Sequence, residues 1–179
     1  MFYISEIKTT PPSTYKTPLQ ELVYTTLQQL NIPFERVDTD EAITMEDCIL
    51  INEKLHVQIV KTLFLCNRQQ TSFYLFVTTA DKPFVTKDFS AALGIPRVSF
   101  ASVSLLNDLL GTPVGGATIF GTMLDKDNKI QVLLDEDILS EEWYGCSDGT
   151  PTGYMRVKTI WITGDFLKHA HHTPKIIKI

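Results

Sequence analysis

The chain reads as an α+β protein: a curled, mixed and mainly antiparallel β-sheet, partly barrel-like, with helices flanking it. Two observations predict this class. Segments rich in β-branched and aromatic residues outnumber the helical ones. Several of them are separated only by a short polar turn, the pattern of hairpin-connected strands.

The elements follow in order. Residues 1–16 carry Pro11-Pro12-Ser13 and no periodicity, and form an extended arm. Thr17-Pro18-Leu19-Gln20 opens a helix. Thr17 caps it, Pro18 suits the first helical position because no N–H is needed there, and Gln20 completes a capping box. Leu19, Leu22, Val23, Leu27 and Leu30 then recur on one helical face, until Asn31 and Pro33 stop it. Phe34 to Asp38 is a short strand. Thr44-Met45-Glu46-Asp47 opens a second helix, with Thr44 as cap and acids in the first turn. Residues 59–67 and 72–79 form a hairpin about the polar 68–71 turn. Thr86 caps a helix that ends at Gly94, and Ser102 caps one that ends at Gly111.

A glycine-rich loop, Gly111-Thr112-Pro113-Val114-Gly115-Gly116, comes next. Strands are expected at 118–124 and 130–135, then an irregular loop at 146–153 and a strand at 154–162. Thr163 caps a last short helix, and residues 169–179 carry no clear pattern. There is no repeat and no linker. The organisation expected is an arm (1–16), one domain (17–170) and a tail (171–179).

Composition narrows the class of function. A length of 179 residues is that of one domain, and 44% apolar with 21% charged residues excludes a disordered chain, a fibre and a disulfide scaffold. The net charge of −5, from 16 basic and 21 acidic residues, argues against wrapping DNA or RNA along an extended surface. Cys48, Cys66 and Cys146 are odd in number and widely spaced, which suits reduced thiols in a cytoplasmic protein. The N-terminus lacks the pattern of a signal peptide, and no apolar run approaches the ~20 residues of a membrane helix.

The motifs are mostly negative. No lysine follows Gly116, so the glycine loop is not a phosphate-binding P-loop. GxSxG and HExxH are absent, which removes the starting point for serine or zinc hydrolases. His169, His171 and His172 read as a solvated tail rather than a metal site, and His56 stands alone. Lys61 is the exception. On the strand Ile59–Leu65 it shares a face with Leu63 and Leu65. A cation among apolar neighbours must reach past them or sit in a cleft against an anionic partner. The competing reading is an edge-strand lysine that blocks aggregation.

Val60-Lys61-Thr62-Leu63-Phe64-Leu65 with Phe73-Tyr74-Leu75-Phe76-Val77 resembles the KNLFL…YYLVV hairpin of the YbaK/prolyl-tRNA-synthetase-associated domain family. Arg97-Val98-Ser99-Phe100-Ala101-Ser102 resembles that family's RLSFAS, and Leu110-Gly111 through Phe120-Gly121 its LG…GxxxPFG loop. Met155-Arg156-Val157-Lys158-Thr159 and Asp165-Phe166-Leu167 resemble its closing strand and helix. The likeness runs in order from about Thr17 to about His169.

The resemblance implies a fold and an activity. The family hydrolyses the ester linking a wrong amino acid to tRNA, with no metal or organic cofactor, and its freestanding prolyl-branch members remove alanine from tRNA(Pro). Carried over, Lys61 matches the family's essential lysine and Gly115 the first position of its GxxxP loop. These two are the catalytic candidates. Gly116, Ala117 and Thr118 match the following loop positions, and Thr44 a threonine at the start of the second helix. Departures fall at Thr62 (asparagine in the family), Ile119 (the closing proline), Ser147 (a histidine) and Thr39 (a histidine in many members). Thr44, Thr62, Gly116, Ala117, Thr118, Ser147 and Asp148 are therefore the substrate-binding candidates.

The chemistry implied is modest. An aminoacyl ester is labile, so the protein has to hold it, polarise its carbonyl and place a water. Lys61 is suited to the terminal phosphate or ribose, backbone N–H groups at 115–117 to the carbonyl oxygen, and the substrate's own 2′-hydroxyl to activation of water. Two functions fit. One is a freestanding deacylase, Ala-tRNA(Pro) being the first substrate; the other is a catalytically degenerate module that binds a tRNA acceptor end, an amino acid or a protein partner. An acidic protein that grips only the acceptor end needs a local basic patch, for which Lys54, Lys61, Lys82, Lys87, Arg97, Arg156 and Lys158 are available.

Overall fold

The structure is a computed structural model that describes every residue except Ile43 and Gly115. In chain order the elements are α1 (Pro18–Gln29), β1 (Glu35–Asp38), α2 (Ile49–Leu55), β2 (Lys61–Cys66), β3 (Phe73–Thr78), α3 (Thr86–Leu93), β4 (Ser99–Phe100), α4 (Val103–Leu110), a 3-10 helix (Ile119–Leu124), β5 (Ile130–Asp135), α5 (Glu136–Leu139), β6 (Trp143–Ser147), β7 (Gly153–Lys158), a π-helix (Trp161–Phe166), α6 (Leu167–His169) and β8 (Lys175–Ile177).

This is an α+β fold whose strands divide between two sheets. The smaller has the order β1-β7-β6, all antiparallel. The larger has the order β4-β2-β3-β5-β8 and is mixed: β4, β2 and β3 are antiparallel neighbours, whereas β3–β5 and β5–β8 are parallel.

The larger sheet is buried on both faces. Phe64, Cys66, Leu75, Val77, Val132 and Leu134 pack on one side with Leu19, Val23, Tyr24 and Leu27 of α1 and with Met155 and Val157 of the smaller sheet. Leu65, Phe76 and Leu133, the alternate positions, pack on the other side with Phe89 of α3, Val98 and Ile177. Two-sided burial explains why β2, β3 and β5 read as nearly continuous apolar runs. The smaller sheet lays Val37 and Tyr154 against Ile51 and Leu55 of α2.

Among the described residues one β-bridge joins the two sheets. Ile59 bridges to Gly145 in a parallel sense, and the Val60 amide donates to the Gly145 carbonyl at 2.9 Å. A Cβ at Gly145 would lie 2.8 Å from Val57 Cγ1, so the crossing needs a residue without a side chain there. The chain thus leaves the smaller sheet at residues 59–60 and enters the larger one at Lys61.

The helix start at Thr17 is as expected, with its hydroxyl accepting from the Gln20 amide at 3.0 Å. Several other elements differ from the sequence expectation. Residues 119–124 form a 3-10 helix rather than a strand; every residue from Ile119 to Met123 is buried, so the run shows no period to read. Trp143–Ser147 is a strand, so the irregular loop expected from residue 146 begins only after Ser147. The second helix begins at Ile49, after a turn in which the Thr44 hydroxyl accepts from the Asp47 amide. Thr86 is the first residue of α3 rather than its cap. Thr163 lies inside the π-helix and donates to the Thr159 carbonyl. Lys175–Ile177, from the tail without pattern, pairs with β5. His172 is buried, its ring nitrogens 2.7 Å from the Ala170 carbonyl and 2.9 Å from Asp125 Oδ2, rather than solvated.

Candidate functional site

The site follows from incomplete pairing of β2. Its far end, Leu65 and Cys66, pairs with β4, and the Phe64 carbonyl accepts from the Ala101 amide at 2.9 Å. Just before its start, the Val60 amide is bound to Gly145 of β6. Between these contacts the β2 edge opens. Backbone groups alternate along a strand, so the N–H and C=O of Thr62 point to the same edge as those of Val60 and Phe64. They face the gap between the two sheets.

A cavity of about 300 Å³ fills this gap. Lys61, Thr62 and Leu63 form one wall, Ala117 with Cys146 and Ser147 another, and Ala42, Thr44, Met45, Cys48, Ile59 and Tyr154 close it. The Tyr154 hydroxyl donates to the Ala42 carbonyl at 2.8 Å and ties Ala42 to the cavity wall. Two larger depressions, of about 590 and 700 Å³, lie elsewhere, but neither is lined by any candidate residue.

Five of the nine candidates therefore meet in one cavity: Lys61, Thr62, Thr44, Ala117 and Ser147. Gly115 lies outside the described residues. Gly116 and Thr118 stand behind the wall. The Gly116 carbonyl accepts from the Ser147 hydroxyl at 3.1 Å, and the fully buried Thr118 hydroxyl accepts from the Phe120 amide at 3.4 Å. The Ser147 oxygen also accepts from the Gly149 amide at 3.2 Å, so this one hydroxyl links β6 to the glycine loop.

Asp148 is a correction. It does not line the cavity; it is turned toward α1 and buried. Its carboxylate accepts from Gln20 Nε2 at 2.9 Å, from the Tyr24 hydroxyl at 2.8 Å and from the Thr150 hydroxyl at 2.7 Å and amide at 3.2 Å. With its lone pairs taken, Asp148 anchors the 147–153 turn. Burial, then the Asp148 charge, pushes the Tyr24 phenol far above its ordinary range, so it remains a donor.

The ammonium of Lys61 donates to the backbone carbonyl of Lys82. The Lys82 side chain in turn contacts Asp135 at 2.7 Å, Asp137 at 2.8 Å and the Ile179 carbonyl at 2.9 Å. Asp135 is fully buried and also accepts from the Thr78 hydroxyl at 2.6 Å. Burial alone would raise its pKa, but the hydrogen bonds from Lys82 and Thr78 outweigh burial and hold the carboxyl below the usual range.

Sequence reasoning missed the two cysteines of the cavity. Burial, with the Asp47 charge, pushes the Cys48 thiol up to about 11, and burial raises Cys146 further still. Both are thiols at neutral pH, which makes them wall rather than nucleophile. Their spacing gave no signal, since the 39–48 segment and β6 are brought together only by tertiary structure.

Of the basic residues available for an RNA end, four are engaged. Lys54 pairs with Glu6, Lys82 with Asp135 and Asp137, Arg156 with Glu35, and Lys158 with Glu142. Lys61, Lys87 and Arg97 form no ion pair among the described residues.

The sequence pattern described as an aminoacyl-tRNA editing domain matches residues 39–161, the stretch that builds every wall of this cavity. The chain belongs to that family. The editing domain is 27% identical over 120 residues to a prolyl-tRNA editing protein, ProX, of Acetoanaerobium sticklandii, covering 67% of this chain and 73% of the relative. It is 26% identical over 153 residues to prolyl-tRNA synthetase associated domain-containing protein 1 of Danio rerio, covering 84% and 82%. Among solved structures, a hypothetical protein superposes with a TM-score of 0.66 at 17% identity, over 87% of this chain and 97% of its own. A candidate trans-editing enzyme for prolyl tRNA synthetase gives 0.63 at 18%, over 92% and 99%. These two likenesses speak for the fold of the editing domain. No helix among the described residues is long and apolar enough to cross a membrane.

Proposed function

We propose that the protein is a freestanding trans-editing deacylase that hydrolyses the ester of a mischarged tRNA, with Ala-tRNA(Pro) as its first substrate. The observation that carries this reading is the convergence of Lys61, Thr62, Ala117 and Ser147 on one small cavity where the two sheets meet. Membership of the editing family supplies the reaction class.

The aminoacyl group enters the cavity and the terminal adenosine stays at its mouth. A volume of about 300 Å³ is at the lower end of small-molecule sites and has room for a small aminoacyl group. Water attacks the ester carbonyl, the bond to the ribose oxygen breaks, and the products are a free amino acid and a tRNA with its terminal hydroxyl restored. The amides of Ala117 and Thr62, both residues of the cavity wall, polarise the carbonyl oxygen. Lys61 turns from the Lys82 carbonyl to the terminal phosphate or ribose, and the neighbouring 2′-hydroxyl of the substrate steers the water.

The test is deacylation of Ala-tRNA(Pro) beside Pro-tRNA(Pro), in the cytoplasmic pH range. Selective release of alanine supports the deacylase. Saturable tRNA binding with no ester cleavage on any small-residue mischarged tRNA replaces it with the degenerate binding module.

A further inference from the structure

Phe100 is 58% exposed, a large apolar ring left open beside the site. It belongs to β4, the edge strand of the larger sheet, and sits directly opposite Leu65 of β2. Directly opposed residues share a face, and alternation puts Leu65, Leu63 and Lys61 on that face too. Phe100 and Lys61 are therefore on the same side of the sheet, separated along β2 by about 13 Å at 3.3 Å per residue.

A short segment joins them. The Lys82 carbonyl takes the Lys61 ammonium, and two residues on, the Phe84 ring meets the Phe100 ring edge-on with centroids 5.7 Å apart. Phe84 is braced by Phe76 at 6.0 Å and Phe89 at 5.7 Å, so Phe100 rests on a packed aromatic cluster. A rigid exposed ring loses little entropy when a flat partner settles on it. The surroundings favour a polyanion: Arg97 lies three residues upstream, Lys87 in the first turn of α3, both exposed and neither in an ion pair among the described residues.

We propose that Phe100 is a stacking platform for an unpaired nucleobase, the one that precedes the terminal adenosine of the RNA whose ester occupies the cavity. This rests on the deacylase reading and adds a subsite to it. The ring holds the single-stranded end by one π-face, which is tolerant of base identity, and so fixes how far the adenosine reaches past Lys61.

The test compares apparent KM for mischarged tRNA(Pro) carrying its natural 3′ end with the same tRNA made abasic at the next-to-last position. Wild-type protein is expected to lose about ten-fold in KM on the abasic substrate, the effect of one base–aromatic stack. Phe100→Ala and Phe100→Leu show a similar loss on the natural substrate, larger than any change in kcat, and no further loss on the abasic one. Phe100→Trp retains wild-type KM. The abasic arm needs no altered protein, so misfolding of a variant cannot imitate the result. If the abasic tRNA and the Phe100 variants keep KM within two-fold while Lys61→Ala abolishes turnover, the platform is wrong and the deacylase reading stands. If the wild-type protein cleaves no mischarged tRNA, both are overturned.

Discussion

The Lys61 ammonium is held by the backbone carbonyl of Lys82, and the Lys82 side chain is clamped to the buried Asp135. The position of the candidate catalytic lysine therefore depends on a second lysine that never enters the cavity. Lys82→Met keeps the stem and removes the clamp. Breaking a buried pair typically costs 3–5 kcal/mol, and the partial exposure of Lys82 reduces this to about 1–3 kcal/mol. Urea denaturation measures that loss, and deacylation is expected to fall several-fold through kcat.

Asp148→Asn tests the anchor of the 147–153 turn. The carboxylate has donors from Gln20, Tyr24 and Thr150 on all sides, and an amide turns one acceptor into a donor facing donors. A destabilisation of about 2–4 kcal/mol is expected from the urea midpoint. Gly153→Ala should damage the same turn, since a Cβ there would collide with the Asp148 carboxylate.

Ser147→Ala removes the hydroxyl that joins the Gly116 carbonyl to the Gly149 amide. The expected loss of stability is about 1 kcal/mol. The informative readout is kcat: loosening of Gly116 and the adjoining Ala117 lowers it several-fold with KM little changed, whereas an unchanged kcat would remove Ser147 from the positioning of these residues.

Acid sensitivity follows from Asp135 and Asp125. In both, burial would raise the pKa, but hydrogen bonds outweigh it, from Lys82 and Thr78 for Asp135 and from His172 and the Ile130 and Lys129 amides for Asp125. Both folded-state values lie below the unfolded value of about 3.9. The stabilisation is then complete above that pH and lost as pH falls through the folded values. These groups should leave the urea midpoint unchanged between about pH 7 and 5, where their stabilisation is fully present, and lower it below about pH 4. Lys82→Met should flatten that acid limb; an identical limb in the variant would show that the Asp135 clamp does not set it.

The sequence revealed the parts whose signal is local. The Lys61 hairpin was legible because two strand-rich runs flank a four-residue polar turn, and α1 because Thr17, Pro18 and Gln20 each act within one turn. The 3-10 helix at 119–124 was not, because full burial erases periodicity. β6 was hidden by Gly145 and Ser147, small residues chosen for close crossing and bridging rather than for strand propensity. Within the site, Lys61, Thr62, Thr44, Ala117 and Ser147 were legible through the family resemblance. Asp148 was misread because its four donors come from α1 and Thr150, and the cysteine walls were missed because their meeting is purely tertiary.

The measurement closest to the central claim is single-turnover hydrolysis of Ala-tRNA(Pro) by the wild-type protein and by Lys61→Ala, with the fold of both checked by thermal unfolding. The account predicts alanine release by the wild type and a loss of at least 100-fold, about 2.7 kcal/mol of transition-state stabilisation, in a variant that unfolds at nearly the same temperature. Equal rates for the two proteins would contradict it and take Lys61 and its cavity out of the chemistry.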